Sequence, residues 1–210
     1  MTRTSRPYHH GDLVRAAIDG AVEEVKTVGV AAVSMRRIAR RAGVSHAALA
    51  YQFGDKSGLF TAVAAEGFRL FAETVGPPAT DAGPEGFLYG GRAYVQFALA
   101  HPGHFEVMFR PYLHRADDTD LIAARDAAFE VLYGNARRSL AAHRDAREAD
   151  ITDDDVLALA TAGWSLSHGF ATLFSTGNLP DRVRADPEVA AALVVKGAFM
   201  ISELAPNPTT

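Results

Sequence analysis

Apolar residues recur along this chain at three- and four-residue steps, and no stretch alternates with the period of two that a half-buried strand requires. Leu13, Ala17, Ala21, Val25 and Val28 form one stripe of a first helix, which Gly29 ends. Ser34 stands where it can cap a second helix, with Ile38 and Ala42 turned inward and Arg36, Arg37, Arg40 and Arg41 mostly outward. Gly43 supplies a turn, Ser45 caps a third helix, and Leu49 and Phe53 point back to the core four residues apart. Asp55 caps a long fourth helix through Leu59, Phe60, Val63, Gly67 and Phe71, expected to stop before the segment "GPPATDAGP". "PEGFLYGGRAYVQFALAH" predicts a fifth helix and "PGHFEVMFRPYL" a shorter sixth; three more are expected over roughly 119–143, 153–175 and 188–204, with a frayed "NPTT" tail. The fold class is therefore all-α, about nine helices, with a head over residues 11–71 and a larger helical body over 80–205.

A chain of 210 residues that is 48% hydrophobic and 22% charged suits one or two globular domains. No segment approaches the ~20 apolar residues of a membrane span, and the start "MTRTSRPYHHGD" lacks the apolar run of a signal peptide. There are no cysteines, which excludes disulfides, thiolate metal sites and a cysteine nucleophile. A cytoplasmic protein without a membrane partner is the expectation. The formal net charge of -4 hides an asymmetry, because residues 1–60 carry nine bases against five acids while the remainder is acidic. A basic front on an acidic body suits a polyanion-binding head.

Two short helices joined by a glycine-containing turn make a helix-turn-helix over about 34–53, whose second helix enters the DNA major groove by its N-terminal residues. Ser45, His46, Ala47 and Ala48 occupy that place; their small side chains let the backbone approach the groove floor, and alanine methyls can meet thymine methyls. Ser34, Met35 and Arg36 begin the preceding helix, Tyr51 and Gln52 stand further along the recognition helix, and Lys56 is placed to reach a phosphate. These ten residues are the candidate DNA-binding set.

"SMRRIARRAGVSHAALAYQFGDKSGLF" resembles the TetR/AcrR family of bacterial transcription regulators, through Ser34, Ile38-Ala39, Ala42-Gly43-Val44-Ser45, Phe53, Lys56 and Leu59. Ala50 stands where that family usually has a phosphate-touching tyrosine and Gln52 where it has histidine, while Tyr51 lies about 100° further round the helix. "HPGHFEVMF" followed by "GWSLSHGFATL" is similar to a subgroup named for a Trp, His and Gly, matched here by Trp164, His168 and Gly169. The resemblance implies a palindromic double-stranded operator, a homodimer made by the last two long helices, an unidentified small-molecule effector held in the body, and no cofactor. Release of a repressor by that effector is the implied mode of action.

Phe97, Phe105, Met108, Trp164, His168 and Phe174 combine aromatic and flexible apolar surface with few polar groups, and are the candidate pocket wall; dense core packing is the competing reading. The expected ligand is mostly apolar, with one hydrogen-bonding group for His168. Leu159, Gly163, Leu166, Phe170 and Leu173 form one apolar stripe and Val189, Leu193, Gly197 and Met200 another, the candidate dimer interface. His9-His10 read as an arm near DNA, His101 and His104 as helix-terminus groups, and Asp153–Asp155 as a charged helix start. No Ser/His/Asp grouping, phosphate-cradling loop or paired carboxylates accompany them, so an enzyme is not expected. An interaction protein that binds no DNA is the remaining alternative, separated from a regulator by salt-dependent duplex binding.

Overall fold

Helix follows helix in the computed structural model, which describes residues 10–80 and 86–204; His9 and the "NPTT" tail lie outside them. The described helices are α1 (His10–Val28), α2 (Met35–Ala42), α3 (His46–Phe53), α4 (Lys56–Thr80), α5 (Gly86–Ala100), α6 (Pro102–Met108), α7 (Thr119–Arg144), α8 (Asp153–Ser175), α9 (Asp181–Arg184) and α10 (Pro187–Leu204). Three differences from the sequence reading stand out. The helix α4 continues through Gly76, Pro77 and Pro78 to Thr80, since a proline's fixed φ is itself helical and the cost falls on the lost N–H. The sixth helix ends at Met108, and its expected tail is a separate 3-10 turn at Pro111–Leu113. The linker after α8 holds the one-turn helix α9.

The chain forms two compact units: one comprises residues up to Arg69 together with His101–Arg125, the other Leu70–Ala100 together with Asp126 onward. The segment 101–125, which a linear reading assigns to the body, thus belongs to the unit of the head.

In the first unit the stripe of α1 is buried as its spacing demands, with Leu13, Ala17, Ala21 and Val25 at most 4% exposed. Ile38 and Leu49, from α2 and α3, are fully enclosed, as are Leu59, Phe60 and Val63 of α4. Helix α6 lies close on α1, where a Cβ on Gly103 would stand 2.5 Å from the Val22 carbonyl oxygen. Phe109 meets Phe68 and Phe105 edge-on, with centroids 5.8 and 5.2 Å apart. Such pairs add roughly 0.5–1.5 kcal/mol beyond area burial.

In the second unit α5 packs on α8 and α10. Phe71 sets its edge against Tyr94 (5.0 Å) and Phe97 (5.3 Å), and Trp164 against Phe129 (5.3 Å). The acidic first turn of α8 is capped by Thr152, whose hydroxyl oxygen accepts from the Asp155 N–H at 3.2 Å. Arg137 donates to the Ile151 carbonyl at 2.7 Å and pins that start in place.

Candidate nucleic-acid interface and ligand cavity

Helices α2 and α3 have eight residues each, too short to persist alone. Local caps and a tight turn hold them. Ser34 Oγ accepts from the Arg37 N–H at 3.4 Å and Ser45 Oγ from the Ala48 N–H at 3.0 Å. Each hydroxyl keeps its own hydrogen as a donor. Gly43 closes α2 at φ 68°, in the left-handed region. The Val44 N–H then reaches the Ala39 carbonyl at 3.0 Å and the Gly43 N–H that of Arg40 at 3.4 Å, the paired bonds of a Schellman turn. Gly20 lets α1 and α2 approach, because an added Cβ would stand 3.2 Å from that of Ala42.

Burial of Leu49 and Phe53 turns the other face of α3 outward. His46, Ala47 and Tyr51 are exposed, Tyr51 to 89%, while Ala48 and Gln52 are half-buried. Ser34, Arg36 and Ser45 are exposed beside them and Met35 is half-buried. The ten candidate residues therefore share one unit and flank one turn. Lys56 is the exception to a simple reading, because its ammonium already donates to the Val33 carbonyl at 3.2 Å and lies 5.6 Å from the Phe60 ring centre. Two of its three donors remain for a phosphate.

The four arginines of "RRIARR" divide into two pairs. Arg37 Nε and Arg41 Nε reach the Glu24 carboxylate of α1 at 2.6 and 2.7 Å. Glu24 is only 4% exposed. The Arg37 hydrogen bond, then that of Arg41, holds its carboxyl below the usual carboxylate range, against the opposing effect of burial. Arg36 and Arg40 are exposed and form no ion pair among the described residues. They are the uncommitted cations of this face.

A second clamp secures the far end of α3. Arg115 donates from Nη2 to the Phe53 carbonyl and to Asp55 Oδ1, both at 3.1 Å, and its N–H donates to Thr61 Oγ1 at 2.9 Å. Asp55 accepts from the Gly58 N–H at 2.8 Å, which with Arg115 keeps its carboxyl below the usual range. Neither Glu24 nor Arg115 emerged from the sequence, since each acts on partners 13 to 62 positions away.

The second unit holds a cavity of about 80 Å³ between α4, α5, α7, α8 and α10. Of the six residues expected to wall a pocket, only Trp164 lines it. Phe97 is buried behind Phe71, His168 stands behind Tyr94, and Phe174 packs on Phe170. Phe105 and Met108 belong to the first unit, where a Cβ on Gly67 would strike the Met108 sulfur. Tyr94, which spacing did not single out, joins two of the expected residues: Trp164 Nε1 donates to its oxygen at 3.3 Å, and the oxygen lies 2.8 Å from His168 Nδ1. Burial pushes the Tyr94 phenol up and the His168 imidazole down, so both are uncharged at neutral pH.

The expected dimer residues also divide. Leu166, Leu173, Val189, Leu193 and Met200 are exposed, from 37% to 54%, on α8 and α10. Phe170 is half-buried and Gly197 has open space at its Cβ position. Leu159 packs instead on a buried cluster that includes Ile151 and Val156. Gly163 accommodates the Phe87 ring, whose atoms would lie 2.4 Å from an added Cβ; its small size serves a contact inside the chain.

Among the described residues no three His, Asp or Glu side chains gather to hold a metal ion, and no helix is long and apolar enough to cross a membrane.

The family of bacterial regulatory proteins called tetR matches residues 17–63, and the tetracyclin repressor-like C-terminal domain matches residues 88–197. A solved protein of unknown function from Rhodococcus sp. RHA1 is 28% identical, with a TM-score of 0.68, over 92% of this chain and 98% of that one. The TetR family transcriptional regulator PfmR from Thermus thermophilus is 19% identical, TM-score 0.63, over 86% of this chain and 97% of the other. A bacterial regulatory protein in the tetR family from Rhodococcus RHA1 is 20% identical, TM-score 0.68, covering 90% and 95%. No curated protein matches the chain.

Proposed function

The chain belongs to the tetR family of bacterial regulatory proteins and is a non-enzymatic, DNA-binding transcription regulator, and from that premise we propose that it is a homodimeric, cytoplasmic repressor released by a small molecule. The observation that carries the reading is the outward face of α3, where a doubly capped recognition helix presents His46, Ala47 and Tyr51 beside the uncommitted Arg36 and Arg40. One helix-turn-helix spans only a few base pairs, so specific binding calls for two heads on half-sites about 34–36 Å, or a multiple, apart. The exposed leucines, valine and methionine of α8 and α10 support the two-fold interface, being too apolar for a solvated face. Trp164, His168 and Gly169 support the Trp-His-Gly subgroup. Effector occupancy of the second unit favours a dimer geometry whose heads no longer match successive grooves, and a coupling of a few kcal/mol suffices for release.

The test is selection of bound genomic duplexes followed by anisotropy titrations over a salt series. His46→Ala changes sequence preference by roughly 1–3 kcal/mol at one base pair, and Lys56→Ala weakens all sequences alike and lowers the salt slope by about one. Wild-type behaviour of both variants overturns the docking.

A further inference from the structure

The cavity of the second unit has a chemistry of its own, and its ligand class follows from what its walls lack. Among the described residues no Asp, Glu, Lys, Arg or His side chain lines it. Its surface is made by Phe71, Phe87, Leu132, Trp164 and the valines of α10, with four polar side chains: Tyr94, Asn135, Trp164 and Ser167.

Three of those four are already committed. Trp164 donates to the Tyr94 oxygen, and the same oxygen is hydrogen-bonded to His168 Nδ1 at 2.8 Å. Asn135 Oδ1 accepts from Arg138 Nη2 at 2.6 Å, and its amide nitrogen faces the Val75 carbonyl at 3.5 Å. Ser167 differs. It is only 4% exposed, yet its hydroxyl has no hydrogen-bond partner among the described residues. Its oxygen lies close against Gly91, where an added Cβ would stand 3.3 Å from it. Among the described residues the fully enclosed side-chain polar atoms without a partner are His104 Nδ1 and Arg138 Nε, so the Ser167 oxygen is not sealed in but opens on the cavity, where it can meet a polar group of a ligand.

We propose that this cavity binds an uncharged, mostly hydrocarbon molecule about one ring in size, anchored by a single hydrogen bond to Ser167. The proposal rests on the reading of the second unit as an effector domain. A volume of about 80 Å³ is about half that of the ~150 Å³ apolar cavity known to take up benzene, so one ring is the upper limit of size and enters only as the walls give. An ionised ligand would leave water for walls with no counter-charge, which is far more costly than burying a neutral ring.

Phenol, toluene and benzoate are matched probes, near-equal in size and differing in hydrogen bonding and charge. Their binding is measured by calorimetry and melting shift on the full-length protein without DNA. Wild type binds phenol and toluene and not benzoate. Ser167→Ala weakens phenol about 2- to 10-fold and leaves toluene unchanged. Gly90→Ala, whose Cβ would make ordinary contacts at 3.7 Å to Asn135 and 3.8 Å to Val75, keeps the fold and weakens both by filling space. Benzoate binding that matches phenol and is lost in Arg138→Met overturns the uncharged class, placing the charge at that arginine. Absence of phenol and toluene binding, or binding indifferent to both Ser167→Ala and Gly90→Ala, overturns the site. A protein that binds phenol in this pattern but retains no DNA fragment refutes the regulator reading and leaves the cavity assignment standing; retention of DNA without probe binding does the reverse.

Discussion

Replacing Glu24 by glutamine should make the head less stable and yet a stronger non-specific DNA binder. The carboxylate is 4% exposed and accepts two charge-assisted hydrogen bonds, at 2.6 Å from Arg37 and 2.7 Å from Arg41. Such bonds are worth roughly 1.5–3 kcal/mol each. The two guanidiniums keep 45% and 35% of their side-chain surface in water, so they rehydrate when the carboxylate is lost. About 2 kcal/mol in total is the resulting estimate, or a melting point lower by about 4–8 °C at this chain length. On the DNA side, each head loses one negative charge and frees two arginines beside Arg36 and Arg40. One to two added phosphate contacts steepen the log–log salt slope by about 0.9–1.8 per head. Thermal and urea denaturation read the first effect, and anisotropy on a random duplex across salt reads the second. The sign with pH follows from the lowered carboxyl. Glu24 stabilises above its unfolded pKa and ceases to as pH falls through the folded one, so the difference between wild type and Glu24→Gln should shrink below about pH 5. Unchanged stability together with an unchanged slope would refute the reasoning; a loss of stability alone would place these arginines away from the phosphates.

Two further outcomes test the packing. Gly103→Ala should cost about 1–3 kcal/mol in denaturation, because its methyl must displace the Val22 backbone carbonyl, and a neutral result would contradict the α1–α6 approach. Leu193→Glu, at a position 44% exposed, should yield a sedimenting monomer at micromolar concentration that keeps the helical signal of wild type.

How much of this was legible depended on the range of the interaction. Caps and turns act over three to five residues, so Ser34, Gly43 and Ser45 disclosed α2 and α3 nearly to the residue. The stripe of α1 was equally plain, since a 3.6-residue period is a local property. Prolines misled at the end of α4, where punctuation by type overrode a φ that suits a helix. The partition of segment 101–125 with the head was not legible, because it depends on Gly103 meeting Val22 and Arg115 meeting Phe53, contacts between distant stretches. The cavity was the hardest. Helical spacing shows which residues turn inward, not which of them meet packed neighbours; Phe97 and Trp164 look alike in sequence, and only one lines open space. Ser167, among apolar neighbours on α8, carried a signal that passed unread: a hydroxyl on a buried face needs a partner.

Trp164 is the one tryptophan of the chain, and it stands in the wall of that cavity with its ring nitrogen bonded to Tyr94. The protein therefore carries a single intrinsic fluorophore at the place where a ligand would arrive. Emission excited at the red edge, beyond tyrosine absorption, comes from this indole alone, and its colour and polarisation register a change of polarity or packing at one address. Because the chain also has no cysteine, a thiol introduced at Ala47 would be unique and could take a dye on the exposed face of α3. Two optical channels, one native and one added, would then follow the two units independently in the same sample.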